Sequence, residues 1–452
     1  MLPLGDHGAR AALRDTAGAL GHGELAARVE RTAADLAAAG LAAGQRVAVA
    51  CAPRVDAIVR ALAAARCGAT VLPLDPALPA ADAGRQAEAF GADWRLDAEG
   101  GLRPGPGGAP RPEGEAPAQA LASSGSSGAA KLVLRSRAQV EAGVRIYAGT
   151  LGLAPDDRVL ASVSLGHSYG FNSQLLATLA AGAELVLPAS GHPRDLLDTI
   201  ERHSITRFGA PPVLLDLLCR FQEAPRRLAS LRSVVSVGEA LPTAVHERFA
   251  ERFGIAPWQS YGASEAGPAL LNREDVAADG VLALGRPYRG VRVDLLDEAG
   301  QPVADGEPGE LAIRSPAVAL GYDGEGEGDG ASRIVEGVFF TADLGFRRGG
   351  LVHFGGRRKL LIATGGRKVA PEEVERVLRS HPRVGDAAVV ARRSGEFEKV
   401  VALVVARGEL AASELLGFCA GRLAAWKVPA QIEFRASLPR GASGKLLRER
   451  IA

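Results

Sequence analysis

The sequence predicts an α/β protein: a large N-terminal domain of helix-covered, mostly parallel sheets that ends in a β-subdomain, followed by a small α+β C-terminal domain. Three observations carry this. Helical spacing and short apolar runs alternate up to about residue 285, the texture then changes to short strands separated by turn signals, and a compact mixed unit closes the chain. Strands alternating with helices imply parallel pairing, because each parallel connection must cross back over the sheet and so covers its face.

The alternation begins at residues 24–40 (ELAARVERTAADLAAAG), whose apolar residues recur at helical spacing and end on a glycine, before GQRVAVAC, a buried strand. A helix over 56–66 and the strand ATVLPLDP repeat the unit, and short strands follow at 158–164, 184–188, 206–209 and 232–237. The Gly/Pro-rich stretches 97–120 and 323–332 are expected to be surface excursions. VRVDLLDEAGQPVADGEPGELAIRS has the turn spacing of an antiparallel β-subdomain. The tail predicts a strand at KLLIATGG, a helix at 371–380, strands at DAAVVARR and VVALVVARG, a helix near 412–425 and a strand at QIEFRASLP. No internal period of 20 to 50 residues is found.

Composition narrows the function classes. The chain has 452 residues, 47% of them apolar, enough for two or three domains. Lys plus Arg (53) nearly balances Asp plus Glu (52), leaving a charge of +1 and no overall field for nucleic acid or anionic membrane. A small molecule or a protein is the expected partner. Cys51, Cys67, Cys219 and Cys419 lie far apart with no CxxC, which argues against a zinc site or a disulfide framework and suits a cytoplasmic protein. No signal peptide and no membrane span is expected, since no basic start leads into an apolar stretch and no uncharged apolar run approaches ~18 residues.

SSGSSGAAK, residues 123–131, concentrates glycines, hydroxyls and a lysine. Glycines allow several backbone N–H groups to converge on one anion, the serines add donors and Lys131 adds charge, so the segment suits a phosphate cradle. The GxxxxGK[ST] pattern does not fit, which disfavours a P-loop ATPase. A flexible Gly/Ser linker would have the same composition.

From this loop onward the order of segments resembles the adenylate-forming superfamily of acyl- and aryl-CoA synthetases, luciferases and peptide-synthetase adenylation domains, over nearly the whole chain. Its loop reads roughly [ST]SGTTGxPKG. The resemblance implies nucleotide contacts from Ser124, Gly125, Ser126, Ser127, Gly128 and Lys131, with Ala130 and Leu132 in place of the usual proline and glycine. Gln259-Ser260-Tyr261-Gly262-Ala263-Ser264-Glu265 looks like YGxTE, implying adenine contact for Tyr261 and Gly262, phosphate contact for Ser264, and a Mg2+-linked carboxylate for Glu265, with Ser126 beside the metal. Joining a carboxylate to an α-phosphate brings two anions together, and a hard cation offsets that repulsion. Ser236-Val237-Gly238-Glu239-Ala240 resembles the adenine loop, with Ser236, and Gly262 of the preceding motif, toward the acid. Phe340-Thr341-Ala342-Asp343-Leu344 resembles [YW]xTGDL, in which an aspartate accepts both ribose hydroxyls, and Ala342 stands for a glycine. Gly309-Glu310-Leu311 and Gly321-Tyr322 match a mostly structural segment. Gly356-Arg357 is similar to the family's GR pair, with Arg357 toward ribose and phosphate and Lys359 at the hinge, so the domains divide as 1–357 and 358–452 and the second is expected to be mobile. Leu438-Pro439-Arg440-Gly441-Ala442-Ser443-Gly444-Lys445 resembles the terminal LPRTxSGK, implying that Lys445 is the adenylating lysine, with Lys131 and Glu265 the other catalytic groups.

His167-Ser168-Tyr169-Gly170-Phe171-Asn172 occupies the position of the acid pocket, to which it would contribute His167, Ser168, Tyr169 and Phe171; a structural role is open to His167. No aspartate that would pair an amine stands here, which argues against an α-amino acid. The pattern favours an aromatic acid such as a hydroxybenzoate, with a medium-chain fatty acid second. Thr364-Gly365-Gly366-Arg367-Lys368-Val369-Ala370-Pro371 resembles the thiol-tunnel loop, through Gly365 and Gly366. CoA and a phosphopantetheinyl acyl carrier protein present the same thiol, and a short N-terminus leans toward the carrier. ATP, Mg2+ and the thiol carrier are thus the implied cofactors. The alternative from another class is a catalytically idle nucleotide-binding relative, suggested by Ala130, Leu132 and Ala342.

Overall fold

In a computed structural model, the structure describes residues 7–97, 99–107, 116–123, 131–221, 226–278, 281–323, 332–357, 362–364, 367–369, 371–394 and 397–439. The chain divides into two compact units: Met1–Pro76, Ala87–Ala122 and Leu132–Arg358 form the first, and Ala77–Gln86, Ser123–Lys131 and Lys359–Ala452 the second.

Among the described residues, the first unit holds two large, mostly parallel sheets. The nine-stranded sheet runs in the order Trp258–Ala263, Ser233–Ser236, Arg207–Ala210, Arg158–Leu160, Glu184–Val186, Ala11–Asp15 through its parallel part. Gly267–Asn272 adds antiparallel beside Trp258–Ala263, and Arg286–Pro287 beyond it. In the seven-stranded sheet, Arg46–Ala50 pairs parallel with Thr70–Leu74 and Trp94–Leu96, while Gln119–Ser123 and Lys131–Arg135 lie side by side. The segment 124–130 therefore joins neighbouring strands of one sheet. The rhythm expected from sequence is present: the helix His22–Ala38 buries Leu25, Val29, Ala33 and Leu36 on one stripe, and Val55–Arg66 is buried over most of its circumference, through Ala57, Ile58, Val59, Ala61 and Leu62. The strand expected at 158–164 is shorter, Arg158–Leu160: beyond it the Leu160 carbonyl accepts from Ser162 N–H at 3.0 Å and from the Gln174 side-chain amide at 3.1 Å.

Two helical segments position side chains near the ends of these strands. Arg137–Leu151 starts on a capping box, in which Gln139 N–H donates to Ser136 Oγ at 3.4 Å and Ser136 N–H to Gln139 Oε1 at 2.8 Å, and it stops at Gly152 with φ +65°. Tyr169–Leu176 is π-helical, a widened turn found often at functional sites.

The β-subdomain is an antiparallel sheet in which Gly309–Arg314 lies between Arg292–Leu296 and Val338–Arg348, and Val338–Arg348 also pairs with Leu351–Arg357. In the second unit, Val384–Ser394 pairs antiparallel with Phe397–Ala406, which pairs parallel with Gln431–Phe434. Val400, Ala402 and Val404 point to a core shared with Val374, Leu378, Leu415 and Cys419, whereas Val401 and Leu403 join Ala388 in a smaller cluster. The helix expected near 412–425 ends at Ala420; Pro429 holds Val428 extended, and the chain reaches it through a separate 3₁₀ turn at Ala425–Lys427. Asp323, the first residue of the excursion expected at 323–332, pairs with Arg46, and residues 324–331 lie outside the described residues. No helix among the described residues is long and apolar enough to cross a membrane.

Candidate functional site

Four of the sequence-predicted segments converge in the first unit. The strand Trp258–Ala263 carries Tyr261 and Gly262 to the end of the nine-stranded sheet, where its pairing with Gly267–Asn272 slips by one residue between Tyr261 and Gly262. A Cβ on Gly262 would stand 2.6 Å from the Gly267 carbonyl oxygen, so the tight return of this hairpin requires glycine. The turn closes with Ala266 N–H donating to the Ala263 carbonyl at 3.2 Å and presents Ser264 and Glu265.

Tyr261 Oη donates a 2.7 Å hydrogen bond to Asp343 Oδ2. Asp343 is only 4% exposed, and the antiparallel register of Val338–Arg348 with Leu351–Arg357 sets it directly opposite Arg357. The tyrosine, the aspartate and the backbone of the arginine thus come together from three separate motifs. Local geometry fixes the aspartate: its N–H donates to Thr341 Oγ1 at 3.0 Å, and Ala342 N–H donates to Glu310 Oε1 at 3.0 Å. Ala342 sits at φ +61°, the left-handed region that favours glycine. Its departure from the family pattern therefore falls where a side chain costs about 1–2 kcal/mol.

The loop Ser236–Leu241 lies beside this hairpin. Gln259 holds it: Leu241 N–H donates to Gln259 Oε1 at 2.6 Å, and Gln259 Nε2 donates to the Glu239 carbonyl at 3.2 Å. Gly238 takes φ +89° in the bend. Ser236 is fully buried, and its Oγ has no hydrogen-bond partner among the described residues.

Glu265 is 9% exposed and accepts 3.1 Å from Tyr322 Oη. Its backbone carbonyl accepts from Ala319 N–H at 2.8 Å. No group of three or more His, Cys, Asp or Glu side chains that could hold a metal occurs among the described residues. A single carboxylate with one oxygen engaged by a phenol fits Mg2+, which takes one or two carboxylates and completes its shell with phosphate oxygens and water.

Of the residues expected to line an acid pocket, His167 Nε2 lies 3.4 Å from Asp75 Oδ2. A Cβ on Gly166 would meet Asp75 N at 2.3 Å, so this close approach depends on that glycine. Tyr169 Oη and Tyr147 Oη are 2.7 Å apart, and burial pushes both phenols above their usual range. A Cβ on Gly209 would lie 2.0 Å from Tyr169 Oη, so Gly209 makes the space for that ring. Ser168 stands half-buried before the π-turn, and Phe171 is buried in the main core cluster, against which Tyr169 also packs. Asp75, Tyr147 and Gly209 carry no motif signal and become visible only as contacts, while Gln259 and Tyr322 stand in matched segments that give them no site role.

Lys131 begins its strand half-buried, and Ser264 is half-buried in its turn. Ser124, Gly125, Ser126, Ser127, Gly128, Lys359, Gly365, Gly366 and Lys445 lie outside the described residues.

Comparison with known proteins gives this geometry a family context. The model of the AMP-binding enzyme family matches residues 5–99 and 86–323, and that of the AMP-binding enzyme C-terminal domain matches residues 373–445. A sulfoacetate–CoA ligase of Cupriavidus necator is 32% identical over 349 residues, 76% of this chain and 68% of the relative. A feruloyl-CoA synthase of Amycolatopsis is 32% identical over 306 residues, 66% of this chain and 62% of the relative. The chain thus spans between 62% and 68% of the length of these curated relatives. Among solved structures, a double mutant of o-succinylbenzoate CoA synthetase from Bacillus subtilis, bound with a product analogue, superposes with a TM-score of 0.86 at 27% identity, covering 98% of this chain and 95% of that one.

Proposed function

The chain belongs to the AMP-binding enzyme family, and on that premise we propose that it activates a carboxylic acid with ATP as an acyl-adenylate and passes the acyl group to a phosphopantetheine thiol. The observation that carries this reading is the Tyr261–Asp343 hydrogen bond with Arg357 opposite in the ladder, which gathers three nucleotide motifs at one place. Asp343 offers two oxygens to a vicinal diol, Tyr261 offers a ring and a phenol, and the Gln259-braced loop offers backbone groups to a base. When bound, Mg2+ supplies charge neutralisation between the two anions. In the first half-reaction the acid carboxylate attacks the α-phosphorus and pyrophosphate leaves. In the second the thiol attacks the acyl carbon and AMP leaves, with Lys445 serving the first step and the loop through Gly365 and Gly366 the second, after rotation about Lys359.

The acid is read as an aromatic one, such as a hydroxybenzoate. Support comes from Tyr169, set by Tyr147 and Gly209, and from His167, set by Asp75. Relatives act on feruloyl and o-succinylbenzoyl groups, and also on medium-chain fatty acids, which keep the second reading in view. CoA is the favoured acceptor because the relatives' names specify it, with a holo carrier protein as the other thiol to test.

Acid-dependent exchange of labelled pyrophosphate into ATP over a panel of aromatic and aliphatic acids, followed by thioester assays with CoA and with a holo carrier protein, tests the proposal. Exchange with no acid in the panel would reject it in favour of an idle nucleotide-binding relative. Lys445→Ala is expected to abolish exchange while leaving thioester formation from supplied adenylate largely intact.

A further inference from the structure

The hydroxyls of Tyr147 and Tyr169 lie 2.7 Å apart, and that contact is the one hydrogen bond of the Tyr147 side chain among the described residues. Tyr147 is 5% exposed on the helix Arg137–Leu151, whereas Tyr169 is half-buried at the start of the π-turn. Tyr147 is also fixed from behind: its ring stacks on Tyr288 at 6.4 Å and 18°, and Tyr288 Oη shares a 2.9 Å hydrogen bond with Ser260 Oγ. Burial pushes the Tyr147 and Tyr169 phenols above their usual range, so each keeps its proton at neutral pH. Two protons then meet one shared bond, and one of them is left to donate elsewhere. Were Tyr169 the donor, the Tyr147 proton would stay in the core with no acceptor, an arrangement that folded proteins avoid. Tyr147 therefore donates to the Tyr169 oxygen, and the Tyr169 O–H is the one left over. The backbone nearest to it is taken: a Cβ on Gly209 would stand 2.0 Å from Tyr169 Oη, but the Gly209 carbonyl already accepts from Ser162 Oγ and, at 3.2 Å, from Gln174 Nε2.

We propose that Tyr147 is a positioning residue that presents Tyr169 to the acid as a hydrogen-bond donor, and so selects acids carrying an oxygen acceptor away from the carboxylate, in a methoxy, keto or hydroxyl group. The inference rests on reading Tyr169 as a residue of the acid pocket. A site built around a donor rejects an isostere that lacks the acceptor, because binding it leaves the donor buried and unpaired. With its own oxygen engaged by Tyr147, Tyr169 is also a poor acceptor for an acid that offers only N–H donors there. A phenol pair that merely packs the core would treat all these acids alike.

The test compares kcat/KM in acid-dependent pyrophosphate exchange across benzoates bearing a methoxy, ethyl or amino group at the meta or para carbon, and across a medium-chain fatty acid and its keto analogue. The parent is expected to favour methoxy over ethyl, or keto over methylene, by roughly tenfold, and methoxy over amino by a similar factor. Tyr169→Phe should bring the methoxy and ethyl acids to within about twofold of each other. Tyr147→Phe releases the Tyr169 oxygen to accept, so the preference for methoxy over amino should fall by roughly tenfold. If that chain does not fold, Tyr147→Leu is read in the same way. An equal loss toward every acid in the Tyr147 variants, with the ratios unchanged, overturns the role of Tyr147. A parent that turns over the acids with no preference for an acceptor overturns the proposal and leaves acid activation standing. Exchange with none of the acids overturns the acid-activation reading, and the proposal with it.

Discussion

Tyr261 and Asp343, 82 residues apart, share a 2.7 Å hydrogen bond. The bond joins the Tyr261 hairpin of the nine-stranded sheet to the β-subdomain, and so orients the carboxylate proposed to accept the ribose diol. Tyr261→Phe should weaken ATP binding by roughly tenfold, the worth of one hydrogen bond to a charged group, and Asp343→Ala by more than that. Equilibrium nucleotide binding by fluorescence or calorimetry measures both, and a phenylalanine variant that binds ATP like the parent would break the proposed link.

Ala342 stands at φ +61° with its N–H held by Glu310. Relief of the left-handed penalty, about 1–2 kcal/mol, exceeds the entropy that glycine adds to the unfolded chain, about 0.5–1 kcal/mol. Ala342→Gly is therefore expected to raise the unfolding free energy by about 0.5–1 kcal/mol in urea denaturation. A lower stability would show that the alanine methyl packs better than its backbone strains.

Arg46 and Asp323 form a two-pronged ion pair, at 2.7 and 3.0 Å, with both side chains under a tenth exposed. Arg46 Nη1 also donates to the Phe90 carbonyl at 2.6 Å. Asp323→Ala would leave that guanidinium buried without its anion, and a loss of about 3–5 kcal/mol is expected, read as a lower denaturation midpoint. Asp323→Asn should recover part of it through the remaining acceptor.

His22, buried at the start of its helix, has its pKa lowered below the usual histidine value, first by burial and then by the nearby His7, against a 3.2 Å contact with the Ala183 carbonyl. A histidine that resists protonation in the folded state binds its proton more readily in the unfolded chain, so stability is full above about pH 6.5 and falls as pH drops below it. The melting temperature should decline from pH 7.5 to 5.5, and His22→Gln should flatten part of that decline. An equal slope in the variant would assign the effect to other groups.

How much of this was legible in advance follows from the physics of each feature. The strand–helix rhythm, the change of texture near residue 285 and the family membership could be read because apolar periodicity and motif order are local and linear properties of the chain. Gly262, Asp343 and Glu265 stand out for the same reason, as residue types at fixed places in ordered motifs; their roles remain proposals. The register was not: that Asp343 faces Arg357 across a ladder, with a slip between Leu344 and Gly345, depends on how the strands align after folding. The widened turn at Tyr169–Leu176 and the burial of Phe171 within the main core likewise depend on packing that the linear motif does not contain.

The sequence by itself determined the fold class, the order of the nucleotide segments and the kinds of side chain available for chemistry, since these depend on residue type and spacing alone. Only the tertiary structure decided that Ala342 bears a left-handed backbone, that Tyr322 attends Glu265, and that Gly209 opens room for Tyr169. Each of those is a contact between segments distant in the chain, and it exists only because burial of the sheets brings their ends to one place.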